Sequence, residues 1–119
     1  MRGVAALLVV ALLIQFFIAG MAAVTNPAWW AYHRTWVAYF QWLVVPLPLL
    51  AWLAGPPRPV RVILACIPFV QIGLQYMLAH RGIDGRWPIA LGLHAVDAAL
   101  MLVVVVALAV DRAGQYPNR

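Results

Sequence analysis

The chain alternates long apolar runs with short polar connections. The apolar runs occupy about residues 3–24, 28–54, 60–79 and 87–110. Each run has close to the roughly 20 residues that an α-helix needs to cross a bilayer. Because the connections are short, successive helices must run antiparallel. The pattern therefore predicts an all-α integral membrane protein, an up-down-up-down four-helix bundle forming one domain over residues 1–119, with a short polar tail at residues 111–119.

Proline and polar residues mark the breaks in this pattern. Thr25-Asn26-Pro27 predicts a tight first connection, residues 55–59 a rigid turn and residues 80–86 a polar loop. Pro46, Pro48 and Pro68 fall inside apolar runs, where each removes a backbone hydrogen bond and is expected to kink its helix.

Composition identifies lipid as the solvent and excludes several classes of site. Hydrophobic residues make up 66% of the chain and charged residues only 9%, against about 25% charged in soluble domains. Cys66 is the only cysteine, so a disulfide or a thiolate-rich metal site within one chain is excluded. The first apolar run is longer than the roughly 7–15 residue core of a secretory signal, so it is interpreted as a retained helix.

The basic residues orient the bundle. All eight are arginines, and they lie near the ends of the apolar runs. We call the N-terminal end of the bundle side A and the opposite end side B. Side A holds five arginines (Arg2, Arg58, Arg61, Arg112, Arg119) and side B holds three (Arg34, Arg81, Arg86). This bias predicts a multi-pass membrane protein with both termini cytoplasmic. Basic residues that are all arginine fit a GC-rich bacterial genome, so a bacterial inner membrane is the expected location. No basic face runs along the chain, so nucleic-acid binding is not expected.

The chain also resembles itself. Gln15-Phe16-Phe17-Ile18-Ala19-Gly20 ends the first run, and Gln75-Tyr76-Met77-Leu78-Ala79-His80 ends the third. A histidine follows each glutamine at nearly the same spacing: His33 lies 18 residues after Gln15, and His94 lies 19 residues after Gln75. The spacing predicts a tandem two-helix repeat whose halves are related by an axis along the membrane normal.

The two histidines are the candidate site. Ionisable residues within membrane helices are costly and mark functional sites. His33 and His94 lie roughly 7–9 Å from the side B ends of the second and fourth helices, counted at 1.5 Å per residue. Those helices run in the same direction and face each other diagonally across the bundle, where cofactor sites are built.

Two opposed imidazoles suit one haem b iron with two axial histidines. We expect His33 and His94 as the ligands of a small b-type cytochrome that transfers single electrons. Arg34 and Arg81 are the candidate partners of the haem propionates, and Gln15 and Gln75 are candidate hydrogen-bond donors to haem or a quinone. Trp36 is expected to pack against the porphyrin, and Asp97 is expected to place a charge near the site that adjusts its properties. His80 is expected at the rim. No residue is identified as a catalytic acid, base or nucleophile, so whether the protein is an enzyme stays open.

Three alternatives remain open at this point. A non-haem metal could use His33, His94 and Asp97, with His80 as a further ligand. A cofactor-free accessory or oligomer-forming subunit would use the polar residues for helix packing. A small transporter or channel would line its path with Gln15, Gln71, Gln75 and Asp97. The partners expected are the lipid bilayer, and either a redox subunit or further copies of the chain.

These motifs resemble an uncharacterised family of small bacterial four-helix membrane proteins. That family shows a Gln-aromatic-x-x-Ala-Gly end to helix one, a His opening helix two, and a Leu-His-Ala-x-Asn run in helix four. Here the matching residues are Gln15 to Gly20, His33-Arg34 and Leu93 to Leu100, with Asp97 in place of the Asn. The resemblance implies the fold and the same histidines without an activity. In outline the arrangement is also similar to the four-helix haem units of haem A synthase and b-type membrane cytochromes.

Overall fold

The computed structural model describes residues 1–54 and 59–111. Five α-helices and one 3₁₀ segment follow in order: α1 (Arg2–Val24), α2 (Trp29–Phe40), the 3₁₀ segment (Gln41–Val44), α3 (Leu47–Leu53), α4 (Pro59–Ile83) and α5 (Ile89–Val110). α2, the 3₁₀ segment and α3 together form one span, Trp29–Leu53. The described residues thus contain four spans that are long and apolar enough to cross a membrane. The predicted all-α, four-helix membrane fold is confirmed.

Prolines interrupt the second span. α2 passes into the 3₁₀ segment at Gln41, and α3 begins only at Leu47, directly after Pro46. The ring of a proline removes one backbone donor and obstructs the preceding turn, so the span is built in pieces. Pro68, by contrast, lies inside the unbroken helix α4 and is buried.

α4 is longer than the sequence pattern predicts. The loop expected at residue 80 begins only at Asp84, because α4 continues to Ile83. Its last turn carries His80 and Arg81, and cations stabilise the negative end of a helix dipole. Gly85 then takes a left-handed φ of 69°, which a glycine adopts without a steric penalty and which ends the helix. Most of the predicted turn at residues 55–59 and of the tail at residues 111–119 lies outside the described residues.

The spans pack in a ring. α1 packs against α2 and α5, while α4 packs against α5 and α3. This order places the second and fourth spans on one diagonal of the bundle. The apolar core lies towards side A and contains Leu8, Leu12, Phe40, Val44, Leu47, Met101, Val105 and Leu108, with several alanines. α2 contributes only Phe40 to the buried residues, so towards side B the bundle is less tightly filled. The polar side chains of Gln15, His33, Gln75 and His94 lie in this side B half of the bundle.

Candidate cofactor site

The His33 and His94 imidazoles lie opposite each other between the second and fourth spans. Their ring centroids are 6.3 Å apart and their planes are inclined by 55°. Both residues are half-buried. The structure therefore brings together the two histidines that helix counting placed at matching depth.

A glutamine from the preceding span holds each histidine in the same way. Gln15 on α1 donates from Nε2 to the backbone oxygen of His33 at 3.2 Å. Gln75 on α4 donates from Nε2 to the backbone oxygen of His94 at 2.9 Å. The two helix pairs, α1 with α2 and α4 with α5, are thus joined by equivalent hydrogen bonds at equivalent positions.

The equivalence continues one helical turn further into the membrane. Trp36, three residues after His33, donates its indole N–H to the oxygen of Ala11 at 2.9 Å. Asp97, three residues after His94, accepts a hydrogen bond at Oδ1 from Gln71 Nε2 at 3.2 Å. Ala11 and Gln71 each lie four residues before the glutamine of their half. The halves therefore share a scaffold, but one carries an indole where the other carries a carboxyl group.

The Nδ1 nitrogens of the two imidazoles have different hydrogen-bond partners, which gives the rings different tautomers. His94 Nδ1 lies 3.1 Å from the backbone oxygen of Gln75, so this nitrogen carries the proton and donates it. His33 Nδ1 lies 2.9 Å from Gln15 Nε2, an N–H donor, so this nitrogen accepts. In the neutral rings, His94 Nε2 is consequently a free lone pair, whereas His33 Nε2 carries a proton.

Asp97 is enclosed by amide donors. It is 8% exposed, and its Oδ2 accepts a hydrogen bond of 2.6 Å from Gln75 Nε2 while Oδ1 accepts from Gln71. Acceptance at both oxygens is the pattern of a carboxylate. Gln75 thus joins the backbone of His94 to the side chain of Asp97, and so links the histidine to the nearest acidic group.

The other residues predicted to contact the cofactor are Arg34, Arg81 and Trp36. Arg34 and Arg81 are exposed near the side B ends of α2 and α4. Trp36 is half-buried with its indole N–H directed at α1. Trp30 was not singled out from the sequence, yet its ring meets that of His33 edge to face at a centroid distance of 5.3 Å. The i,i+3 spacing of Trp30 and His33 on one helix face was the available signal.

The described residues do not bring the ligands of the non-haem metal alternative together. Within residues 1–54 and 59–111, no three His, Cys, Asp or Glu side chains converge as a metal site would require. Asp97 is held by its two glutamines. His80 is 77% exposed and pairs with Asp84 at 3.2 Å, outside the site.

Comparison with known proteins gives a family for the chain without a function. A four-span, all-α membrane bundle with an internal two-helix repeat is the class that the fold and site define. The model of a family of unknown function, DUF6220, matches residues 15–82, and the chain belongs to that family. The match begins at Gln15 and ends before the fourth span, so it includes His33 and Gln75 but not His94. No curated protein and no solved structure matches the chain.

Proposed function

We propose that the protein is a small b-type membrane cytochrome that holds one haem between His33 and His94. The observation that carries the proposal is the 6.3 Å separation of the two ring centroids. A metal–imidazole bond is about 2 Å long and the ring centre lies about 1 Å behind its nitrogen, so two imidazoles sharing one ion have centroids roughly 6 Å apart. The spacing between the rings is that of two ligands on one metal ion.

The hydrogen bonds to the rings bear on which nitrogens can bind iron. A ligating histidine normally donates its other ring N–H to a carbonyl or carboxylate, which fixes its orientation and makes it a better donor to the metal. His94 already has this arrangement, through Gln75. His33 requires a half-turn of the Gln15 amide, which would bring Oε1, a buried atom that receives no hydrogen bond from the described residues, against His33 Nδ1. We therefore assign His94 as the stronger ligand and His33 as the weaker one.

The remaining residues would bind and shield the group. A haem iron carries one electron at a time, and the protein adjusts its potential through axial ligands, hydrogen bonds and burial. The exposed arginines Arg34 and Arg81 can pair with propionates at side B. Trp36 and Asp97 lie one turn deeper, on different halves, so that one side of the site is aromatic and the other anionic.

The setting of this activity follows from the sequence. The arginine distribution supports both termini on the cytoplasmic side, and we propose a bacterial inner membrane as the location. An electron-transfer protein of this size needs a redox partner subunit or a quinone to exchange electrons with, and it can also assemble from several copies. Side B carries the histidines, so the partner's redox group would approach from that side.

A second candidate function is favoured by the ring nitrogens themselves. Because His33 Nε2 is a donor and His94 Nε2 is an acceptor, the two rings are complementary for a direct N–H···N hydrogen bond without a metal, which would form if the rings moved closer than their 6.3 Å centroid separation. On this alternative the pair joins the helices of a cofactor-free accessory or oligomer-forming subunit. A transporter is less favoured, since Asp97 is enclosed and both its oxygens are engaged by glutamine side chains.

The absorption spectrum of the protein purified in detergent from haem-replete cells tests the proposal. We expect a Soret band that shifts on reduction with dithionite. We expect that band to be lost or altered in His33→Ala and in His94→Ala. His80→Ala is the matched control, because His80 is exposed and bonded to Asp84, and its spectrum should equal that of the wild type. A colourless wild-type protein would leave the cofactor-free alternative in place.

The Gln15 amide supplies a finer test. In Gln15→Glu a carboxylate would accept from His33 Nδ1–H and favour the metal-binding tautomer, so haem affinity should rise and the midpoint potential should fall. Gln15→Met removes the hydrogen bond and should weaken binding. Second-shell changes of this kind alter metal affinity about 10–100-fold. Equal affinity in both variants would show that His33 does not bind the iron.

A further inference from the structure

Arg61 is buried at the opposite end of the bundle from the histidines. It is the third residue of α4 and is only 6% exposed. It lies on the inward face of α4 with Ala65 and Pro68 rather than extending into the surrounding medium. Among the described residues, nothing accepts a hydrogen bond from its buried Nε and Nη2 atoms. A guanidinium cannot lose its charge, so the protein encloses a permanent cation with two donors that no described residue satisfies.

This arrangement is costly unless an anion is present. Taking an ion out of water costs several kcal/mol, and only a close partner of opposite charge offsets that cost. Nε and Nη2 are the side-on pair of the guanidinium fork, whose parallel N–H groups match two oxygens of a carboxylate or phosphate. The unsatisfied atoms are thus the two that bind an oxyanion together.

The first turn of α4 adds further donors. The first N–H groups of a helix have no acceptor within the helix, and in α4 these begin at Val60, because Pro59 has no N–H. The positive end of the helix dipole attracts anions. A helical side chain lies over the turn that precedes its own Cα, so Arg61 extends towards this end of α4. The first turn carries no acidic residue that could occupy the position.

The depth of Arg61 in the membrane indicates which oxyanion is available to bind it. α4 has 25 residues, or about 37 Å at 1.5 Å per residue, against a hydrocarbon core of about 30 Å. α4 thus exceeds the core by about 7 Å, which is enough for its first turn to reach the headgroup layer, where lipid phosphates lie. We propose that Arg61 and the N-terminus of α4 form a phosphate-binding site at side A, filled by the phosphodiester of a bilayer lipid or by free phosphate. The site is independent of the histidine pair.

Native mass spectrometry and thermal unfolding of the full-length protein in detergent test the site. The probes are phosphatidylglycerol, a diacylglycerol with the same acyl chains and no phosphate, and inorganic phosphate. We expect phosphatidylglycerol to bind and to raise the unfolding temperature, and diacylglycerol to do neither. Stabilisation by inorganic phosphate alone would assign the site to free phosphate, and stabilisation by the phospholipid alone would assign it to lipid.

Two variants and one control connect the effect to Arg61. Arg61→Gln keeps a polar side chain without the charge, and loss of a charge-assisted pair should weaken binding roughly ten- to hundredfold. Arg61→Lys keeps the charge without the fork and should give an intermediate affinity. Arg86→Gln removes an exposed arginine from the side B connection and should match the wild type. The proposal would be overturned if phosphatidylglycerol bound no better than diacylglycerol and inorganic phosphate gave no stabilisation, a result that requires no variant. It would also be overturned if Arg61→Gln bound the phosphate probe as tightly as the wild type.

Discussion

Replacing Gln75 by methionine should destabilise the bundle more than its single polar group suggests. Methionine keeps the approximate length and shape of the side chain, so packing is largely retained. The change removes the 2.6 Å hydrogen bond to Asp97 Oδ2 and the 2.9 Å hydrogen bond to the His94 backbone oxygen. It thereby leaves part of a buried carboxylate without a donor.

The loss in the free energy of unfolding expected for Gln75→Met lies between two limits. Hydrogen bonds to charged groups contribute about 1.5–3 kcal/mol, while interhelical pairs measured in a membrane protein average about 0.6 kcal/mol and reach about 1.7. Since Asp97 is only 8% exposed, we expect a loss of about 2 kcal/mol in the free energy of unfolding. Adding Asp97→Leu should restore about 1 kcal/mol of this, because the stranded charge is removed as well.

Reversible unfolding in mixed detergent micelles, followed by helical circular dichroism, measures these differences. Gln41→Met is the matched control, because within the described part of the chain the Gln41 side chain donates only to the neighbouring Ala38 oxygen, and its loss should cost about 0.5 kcal/mol or less. The reasoning is refuted if Gln75→Met is no more destabilising than Gln41→Met. It is equally refuted if the effects of Gln75→Met and Asp97→Leu simply add.

Two further substitutions test the packing around the site. Gly82→Ala would place a Cβ 2.5 Å from the Leu91 side chain and 3.1 Å from the Leu91 backbone nitrogen. We therefore expect the free energy of unfolding to fall by about 1–3 kcal/mol in the same assay. Stability equal to the wild type would show that α4 and α5 separate freely at this end. Trp36→Phe removes the indole N–H bonded to Ala11 but keeps an aromatic ring, and should cost about 0.5–1.5 kcal/mol. An unchanged or increased stability of Trp36→Phe would contradict the role of that bond in joining α1 and α2.

The fold and the histidine pair were predictable from the sequence because they depend on quantities that a sequence contains. Run length and hydropathy determine how many spans are possible, and helical rise converts residue number into depth. The spacing from Gln15 to His33 and from Gln75 to His94 similarly indicated the repeat that the hydrogen bonds display.

Other features depend on which atoms meet and on side-chain direction, and these could not be predicted. The difference between the two imidazoles arises because an amide nitrogen lies against one Nδ1 and a carbonyl oxygen against the other. The continuation of α4 to Ile83 depends on the competition between its cationic last turn and the following polar residues. Arg61 was interpreted only as a marker of orientation, since its inward direction becomes visible only when α4 is packed.

The coordination state of a bound iron tests the central claim most directly. If His33 and His94 share one haem, the purified protein should bind one haem per chain as a six-coordinate, low-spin species in resonance Raman and electron paramagnetic resonance spectra. Either single replacement, His33→Ala or His94→Ala, should convert the bound haem to a five-coordinate, high-spin species. A six-coordinate spectrum that survives either replacement, or a wild-type protein that binds no haem, would contradict the claim that the two rings hold one iron.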